Sequence, residues 1–469
     1  MSPALARVAR GGETPMSDPL FQQVRSASPE LHWPPLLRGP EAVLESLLHQ
    51  LDASQWQSAR EIQHRQHTQL CQLAQYASRH SRVFRQRLQG AGLTVADLAS
   101  PENFRRLPPL SRRDLQRGDA HCHDAPAHHH PVREFRTSGS TGEPVVVRRT
   151  AVNQLFWHAL TMREYFWHER DFSYRFSAIR PFIESYRLQD DWGAPASLLF
   201  TTGPSQLIPI GLPIAEIASL LQSFAPQVLL LYPNVLSALL DHLESASQNL
   251  AGLRFIRSIS ETLDPALRQR ASALTGAHIV ENYSSQEVGI IAVQCPQGPG
   301  LHVMSESLIV EIVDDAGTPV SQGQTGRVVL TDLHNFATPL IRYVIGDYAQ
   351  AGAPCACGRG LPVLDSILGR ERNLVLMPDG ARHWPRGGFA RLRAVAPVTQ
   401  YQFVQTGRET IEVRLVVERP LSAGQKADLT ALIQSALGYP FALSFVIVEG
   451  QIQKGPRGKF EEFVCAVPL

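Results

Sequence analysis

The sequence predicts an α/β protein: a large N-terminal domain of β-sheets flanked by helices, followed by a small α+β C-terminal domain. A chain of 469 residues is too long for one ordinary core. Between Arg136 and Leu368 short β-rich runs alternate with amphipathic helical segments, the pattern of helices layered on parallel sheet. After Gly369 the pattern becomes a hairpin, longer strands and a single helix, which sets a boundary near Arg370. The expected division is a poorly ordered or draped leader over 1–40, the large domain over 41–369 and the small domain over 370–469.

The leader has scattered Pro and Gly without periodicity, and Met16 offers an alternative start. From Pro40 to Gly92 apolar residues recur at helical spacing (Val43, Leu44, Leu47, Leu48, then Leu70, Leu73, Ala74, Tyr76), and Pro108–Pro109 closes this scaffold. The runs VVVRR, QVLLLY, RFIRSI, HIVENY, SLIVEIV and GRVVLTDL read as strands. Beyond the boundary, NLVLMPDGARHW predicts a hairpin turning at Asp379–Gly380. QYQFVQT and TIEVRLVVE follow as strands, then a helix from Gly424 to Leu437 and the strand LSFVIVE.

Balanced charge, net +1, provides no basic footprint for nucleic acid. The apolar run VLLLYPNVLSALL is interrupted by Pro233 and Asn234 and is shorter than the roughly 20 residues a membrane helix needs. The first residues lack a sustained apolar stretch, so a cytoplasmic location is expected. Six cysteines are too few for a disulfide scaffold of this size.

The segment TSGSTGEP, Thr137 to Pro144, offers glycines and hydroxyls whose backbone N–H groups can wrap phosphate oxygens. Composition alone also fits a Ser/Gly surface loop. The loop lacks the Gly-Lys-Ser/Thr ending of a Walker motif, so a phosphate-balancing cation must come from elsewhere.

TSGSTGEP resembles the phosphate loop of the adenylate-forming superfamily, with Val145 where that pattern often has lysine. SRVFRQRLQGAGLTVADLASPENFRRLPPLSRRDLQ upstream resembles the N-terminal segment of phenylacetate-CoA ligase-like enzymes, and four more blocks follow in family order. The resemblance implies an adenylate-forming large domain and a mobile small one. It places ATP against Thr137, Ser138, Gly139, Ser140, Thr141 and Gly142. SISETL implies an adenine turn at Ser260, Glu261 and Thr262, with Ile259 replacing a glycine. NYSSQEVG implies ATP contacts from Asn282, Tyr283, Ser284, Ser285 and Gln286, with Gln286 replacing a threonine, and Mg²⁺ binding by Glu287. PLIRYVIGD implies that Asp347 accepts the ribose hydroxyls, while Arg342 orients that loop. LGRERN implies Arg370 as an ATP-site arginine and Arg372 at the interdomain hinge. GPRGKF implies Lys459 as the catalytic lysine that offsets charge as a carboxylate approaches the α-phosphate.

The implied chemistry is ATP-dependent conversion of a carboxylic acid to an acyl-adenylate with release of pyrophosphate, then transfer to a thiol, with coenzyme A as the expected acceptor. Transfer to an acyl carrier protein or an amine is the alternative, and a non-catalytic nucleotide-binding paralogue is the third reading. Phe156, Trp157, Tyr165, Phe166, Trp167, Phe176, Phe182 and Trp192 suit an aryl or hydrophobic acid, although most of them fit a core equally well. Cys295 with His302 and Cys355 with Cys357 form two short chelating pairs with zinc-preferring ligands. The resemblance implies a structural Zn²⁺ there. The HCHDAPAHHH patch reads as solvated or adventitious, and Cys71 and Cys465 as structural. A homodimer is compatible with this reading.

Overall fold

The computed structural model describes residues 26–28, 36–118, 120–122, 124–136, 144–181, 183–384, 392–452 and 462–467. Most of the leader, Thr137 to Gly142 with Glu143, Phe182 and Lys459 lie outside the described residues.

The scaffold helices form where periodicity predicts: α1 (Gly39–Ser54), α2 (Ala59–His80) and α3 (Arg82–Gly90). Ser58 and Glu61 cap α2 reciprocally, satisfying N–H groups that the first helical turn leaves open. β1 (Arg133–Arg136) and β2 (Val146–Arg149) then pair antiparallel, with Arg136 opposite Val146, so they bracket the Ser/Gly-rich segment. Thr150, directly after β2, caps α4 (Ala151–Trp167) through Asn153.

The large sheet contains β3 (Phe176–Arg180), β4 (Arg187–Gln189), β5 (Ser205–Pro209), β6 (Val228–Leu231), β7 (Phe255–Ile259), β8 (His278–Ser285), β9 (Gly289–Gln294), β10 (Leu301–Val303), β11 (Leu308–Val313), β12 (Thr325–Asp332), β13 (Tyr343–Ala351) and β14 (Val363–Arg370). Its order is β11-β12-β13-β14-β10-β9-β8-β7-β6-β3-β5-β4. β5, β3, β6, β7 and β8 are parallel, as expected, and β6 is buried throughout because helices cover both faces. α1 and α4 cover one face. α5 (Ile214–Phe224), α6 (Pro233–Ser245) and α7 (Pro265–Thr275) cover the other.

The remainder of the sheet runs antiparallel. β8 returns as β9 after only residues 286–288, too short a link for a parallel crossover. That reversal puts Gln286 and Glu287 in a tight turn at the carboxyl edge of the parallel strands, where open α/β sheets bind ligands.

The C-terminal part begins with the hairpin β15 (Val375–Leu376) and β16 (Arg382–His383), whose turn uses Gly380 at φ +87. β17 (Val398–Gly407), β18 (Thr410–Val417), β19 (Ala442–Ile447) and β20 (Phe463–Cys465) form a separate sheet ordered β19-β18-β17-β20. α8 (Ala423–Leu437) packs on it through Leu429, Ile433 and Leu437, around Phe403, Val413 and Phe441. Trp384 donates from Nε1 to the Arg370 carbonyl at 3.2 Å, and Arg382 reaches Tyr348 Oη at 2.9 Å, so the hairpin rests on β13 and β14. Among the described residues no helix is long and apolar enough to cross a membrane.

Candidate active site

β8 and β13 bring together residues that the sequence separates by 64 positions: Tyr283 donates from its hydroxyl to Asp347 Oδ2 at 2.7 Å. Arg370 lies opposite Asp347 in the β13–β14 register, with Nε 3.3 Å from Asp347 Oδ1. Burial pushes Tyr283 well above its ordinary value, and Asp347 adds to the shift. Burial also opposes the Arg370 charge, but Asp347 and then Glu287 outweigh it and hold the guanidinium above its usual range. The aspartate is therefore fixed by two partners, and lone pairs on both of its oxygens remain for further donors.

Glu287 is buried, and its recorded ionic contact is Arg112 Nη1 at 4.0 Å. Arg149 comes from the opposite wall. Strand alternation turns Val145, Val147 and Arg149 inward from β2. The Arg149 guanidinium lies 3.7 Å from the centroid of Phe135 and 4.4 Å from that of Trp157. It donates from Nη2 to both the Gln286 carbonyl and the Gln286 side-chain oxygen, so the residue that replaces the usual threonine anchors this cation. Burial lowers Arg149 to about 10, with Glu287 and Asp332 opposing the fall. Neither arginine was among the sequence candidates. Inward alternation in VVVRR marks Arg149, but nothing in the sequence gives its partner.

Ser260, Glu261 and Thr262, expected to form an adenine turn, follow the carboxyl end of β7. Ser260 adopts φ +67, so the left-handed residue lies one place after Ile259 rather than at the replaced glycine position. Ser260 shares a hydrogen bond with Tyr232, and Glu261 Oε2 accepts from Asn234 N at 3.1 Å at the start of α6. Thr262 Oγ1 would lie 3.9 Å from a Cβ built on Gly369, next to Arg370. Asn282, with its amide turned to satisfy its neighbours, accepts from Arg257 at 2.7 Å. Ser284 and Ser285 end β8, and Ser285 Oγ accepts from Val288 N at 3.3 Å. Arg342 does hold its loop: buried, at φ +53, it pairs with Glu311 at 3.0 Å and donates to the carbonyls of Arg105 and Leu107. Arg372 belongs to the short turn Glu371–Asn373.

Asp332, at the end of β12, is buried beside this wall, and burial lifts it to about 7 although the His334 N–H and Arg149 pull it down. Its folded value exceeds the ordinary 3.8, so the folded state retains a proton that the unfolded chain releases. Its contribution to stability is thus fully present below about pH 4 and lost as pH rises through about 7. Asp332→Asn removes this titration. The variant's melting temperature minus that of wild type is expected to increase by several degrees between pH 5 and pH 8, the order of ~1–4 kcal/mol. Calorimetry at the two pH values checks it, and a constant difference contradicts it.

The two chelating pairs meet. Cys295, His302, Cys355 and Cys357 place their ligand atoms all within 4.8 Å of one another. Cys295 Sγ and Cys355 Sγ are 3.7 Å apart, and Cys357 Sγ is 3.2 Å from His302 Nε2. Tetrahedral zinc with Zn–S of about 2.3 Å requires sulfurs roughly 3.8 Å apart, so this set fits the ion. His302 Nδ1 faces the Leu361 carbonyl at 3.2 Å, which leaves Nε2 for the cluster. Among the described residues the HCHDAPAHHH patch forms no such group. Its His121 bonds Thr338 at 2.8 Å, and His129 packs edge-on to Phe336. Of the aromatic candidates, Tyr165, Trp167, Phe176 and Trp192 belong to the packed core and Phe166 packs against it, while Phe156 stacks on His334 and Trp157 lies against Gly289.

The AMP-binding enzyme family model matches residues 47–337. The phenylacetate-coenzyme A ligase of Thermus thermophilus is 25% identical over 355 residues, covering 71% of this chain and 76% of that protein. The corresponding Escherichia coli ligase is 24% identical over 345 residues, covering 70% and 75%. A crystal structure of 2-hydroxyisobutyryl-CoA ligase with 2-HIB-AMP in the postadenylation state superposes with a TM-score of 0.67 at 19% identity, covering 85% of this chain and 88% of that one. The fold is thus that of adenylate-forming ligases, and the chain belongs to the AMP-binding enzyme family, in its phenylacetate-CoA ligase-like branch.

Proposed function

We propose that the chain is an AMP-forming acid–CoA ligase. The observation that carries this reading is the family match over residues 47–337, which supplies Tyr283, Gln286 and Glu287, together with the contacts of Tyr283 and Arg370 with Asp347 just beyond it. A carboxylate attacks the α-phosphorus of ATP, pyrophosphate leaves with its electron pair, and the coenzyme A thiol then displaces AMP from the acyl-adenylate.

Residues Thr137 to Gly142, held between β1 and β2, cradle the phosphates in this reading, and the turn at Ser260–Thr262 with Tyr283 holds adenine. Asp347, oriented by Tyr283 and Arg370, takes the ribose hydroxyls. Arg149 holds the Gln286 turn and adds positive potential beside the phosphates. Glu287 would hold Mg²⁺: one buried carboxylate plus phosphate oxygens is a fitting donor set for that ion, which supplies charge neutralisation at the phosphates. Lys459 supplies the cation that offsets the charge of the reacting carboxylate and phosphate in this reading. Cys295, His302, Cys355 and Cys357 would hold a structural Zn²⁺, which would supply a cross-link between the β9–β10 hairpin and the loop after β13.

A pyrophosphate-release screen over carboxylic acids, with and without coenzyme A, tests the reading. The expected result is acid-dependent release, with acyl-CoA formed when coenzyme A is present. Release with transfer only to a carrier protein or an amine would replace the acceptor, and silence over a wide panel would support a binding-only protein.

A further inference from the structure

Arg180 ends β3 and lines a cleft of about 540 Å³ with Glu184, Tyr186, Pro209, Ile210 and Glu216. It shares the α4-side face of β3 with Phe176 and Ala178 by strand alternation. The other arginines on that side are matched. Arg163 pairs with Glu306 at 2.8 Å, Arg257 with Glu164 at 3.1 Å, and Arg170 with the same glutamate. Arg180 is different: among the described residues its guanidinium has no hydrogen bond or ion pair, although it is exposed in the cleft. The surrounding protein depresses its basicity, Arg257 adds to the fall, and only Tyr165 and Tyr232 oppose it. An exposed guanidinium in a cleft, with no ion pair of its own, is open to an incoming anion.

The cleft lies at the carboxyl edge of the parallel strands, in line with the candidate active site. Tyr232, just after β6, lies near Arg180 and shares its hydrogen bond with Ser260, just after β7. We propose that Arg180 is a specificity-determining residue that binds a second oxyanion, a carboxylate at the far end of the acid being activated; this rests on the acid–CoA ligase reading. Three strand spacings of ~4.8 Å separate the ends of β8 and β3, and the arginine side chain spans roughly half of that distance, so the two carboxyl groups lie roughly 7–8 Å apart. A linear diacid of about seven carbons, or an aryl equivalent such as 4-carboxyphenylacetate, has that reach. Coenzyme A carries the same oxyanion chemistry in its phosphates, and its binding to wild type and to Arg180→Met separates the two sources.

The test measures equilibrium binding of heptanedioate against heptanoate, 4-carboxyphenylacetate against phenylacetate, and coenzyme A, to wild type, Arg180→Met and Arg180→Lys, with ATP–pyrophosphate exchange followed in parallel. Wild type is expected to bind at least one diacid roughly 10- to 100-fold more tightly than its monoacid. Arg180→Met removes that preference without weakening the monoacid, and Arg180→Lys retains part of it because the charge remains while the two-pronged geometry is lost. Equal affinities in wild type, binding of neither acid, equal weakening of both by Arg180→Met, or a loss confined to coenzyme A would each overturn the proposal. Exchange with the monoacid but no diacid preference would leave the ligase reading standing. Diacid binding that depends on Arg180, without exchange, would uphold the anion site and count against the ligase.

Discussion

Lys459→Ala is expected to lower acid-dependent ATP–pyrophosphate exchange by roughly 100-fold or more. In adenylation a carboxylate approaches a phosphate, so two anions must come together while negative charge builds on the leaving pyrophosphate. The described cations of the site have other engagements. Arg149 is pinned to Gln286 and sandwiched between Phe135 and Trp157. Arg370 is paired with Asp347, and Arg112 lies against Glu287. Each supplies fixed potential, but none can follow the moving charge, and the phosphate segment has no Walker lysine of its own. A lysine on the C-terminal part can act in that step and be absent from the next. The variant should therefore still transfer the acyl group from a supplied acyl-adenylate to coenzyme A, within a few-fold of wild type. Near-normal exchange in Lys459→Ala would remove Lys459 from the chemistry, whereas equal loss of both half-reactions would point to general misfolding.

The second large effect concerns the Cys/His cluster. Cys357→Ser is expected to abolish stoichiometric zinc and to lower the melting temperature by roughly 10 °C. The four ligands come from the β9–β10 hairpin and the loop after β13, and β10 and β14 are joined by a short pairing, Leu301 with Leu364 and His302 with Val363. A closed tetrahedral site would add binding free energy to that junction because the ligands are gathered only in the folded state. Metal analysis of wild type purified without chelator should give about one zinc per chain. A metal-free wild type that melts at the same temperature as Cys357→Ser would reject the site.

The parallel half of the large sheet was legible because its strands are continuous apolar runs such as QVLLLY, buried on both faces. The antiparallel half was not, since a strand's own residues do not reveal its neighbour; the reversal at Gln286–Val288 shows only in the register of β8 with β9. The chelating pairs were legible by spacing, and their meeting follows from β10 lying between β9 and β14. The Tyr283–Asp347 bond and the Arg149–Gln286 clamp were hidden for the same reason, being contacts between separate strands. Ile259 in place of a glycine suggested an altered adenine turn, yet the left-handed backbone is carried by Ser260 instead. The aromatic residues of α4 suggested an acid pocket, but tertiary packing takes Tyr165 and Trp167 into the core.

In the proposed adenylation the acid's own carboxylate attacks the α-phosphorus of ATP. With the acid labelled at both carboxylate oxygens with ¹⁸O and coenzyme A present, mass spectrometry of the nucleotide product tests this directly. One ¹⁸O is expected in AMP and none in pyrophosphate; label in inorganic phosphate with ADP as the nucleotide product, or AMP released without label, would rule this reaction out.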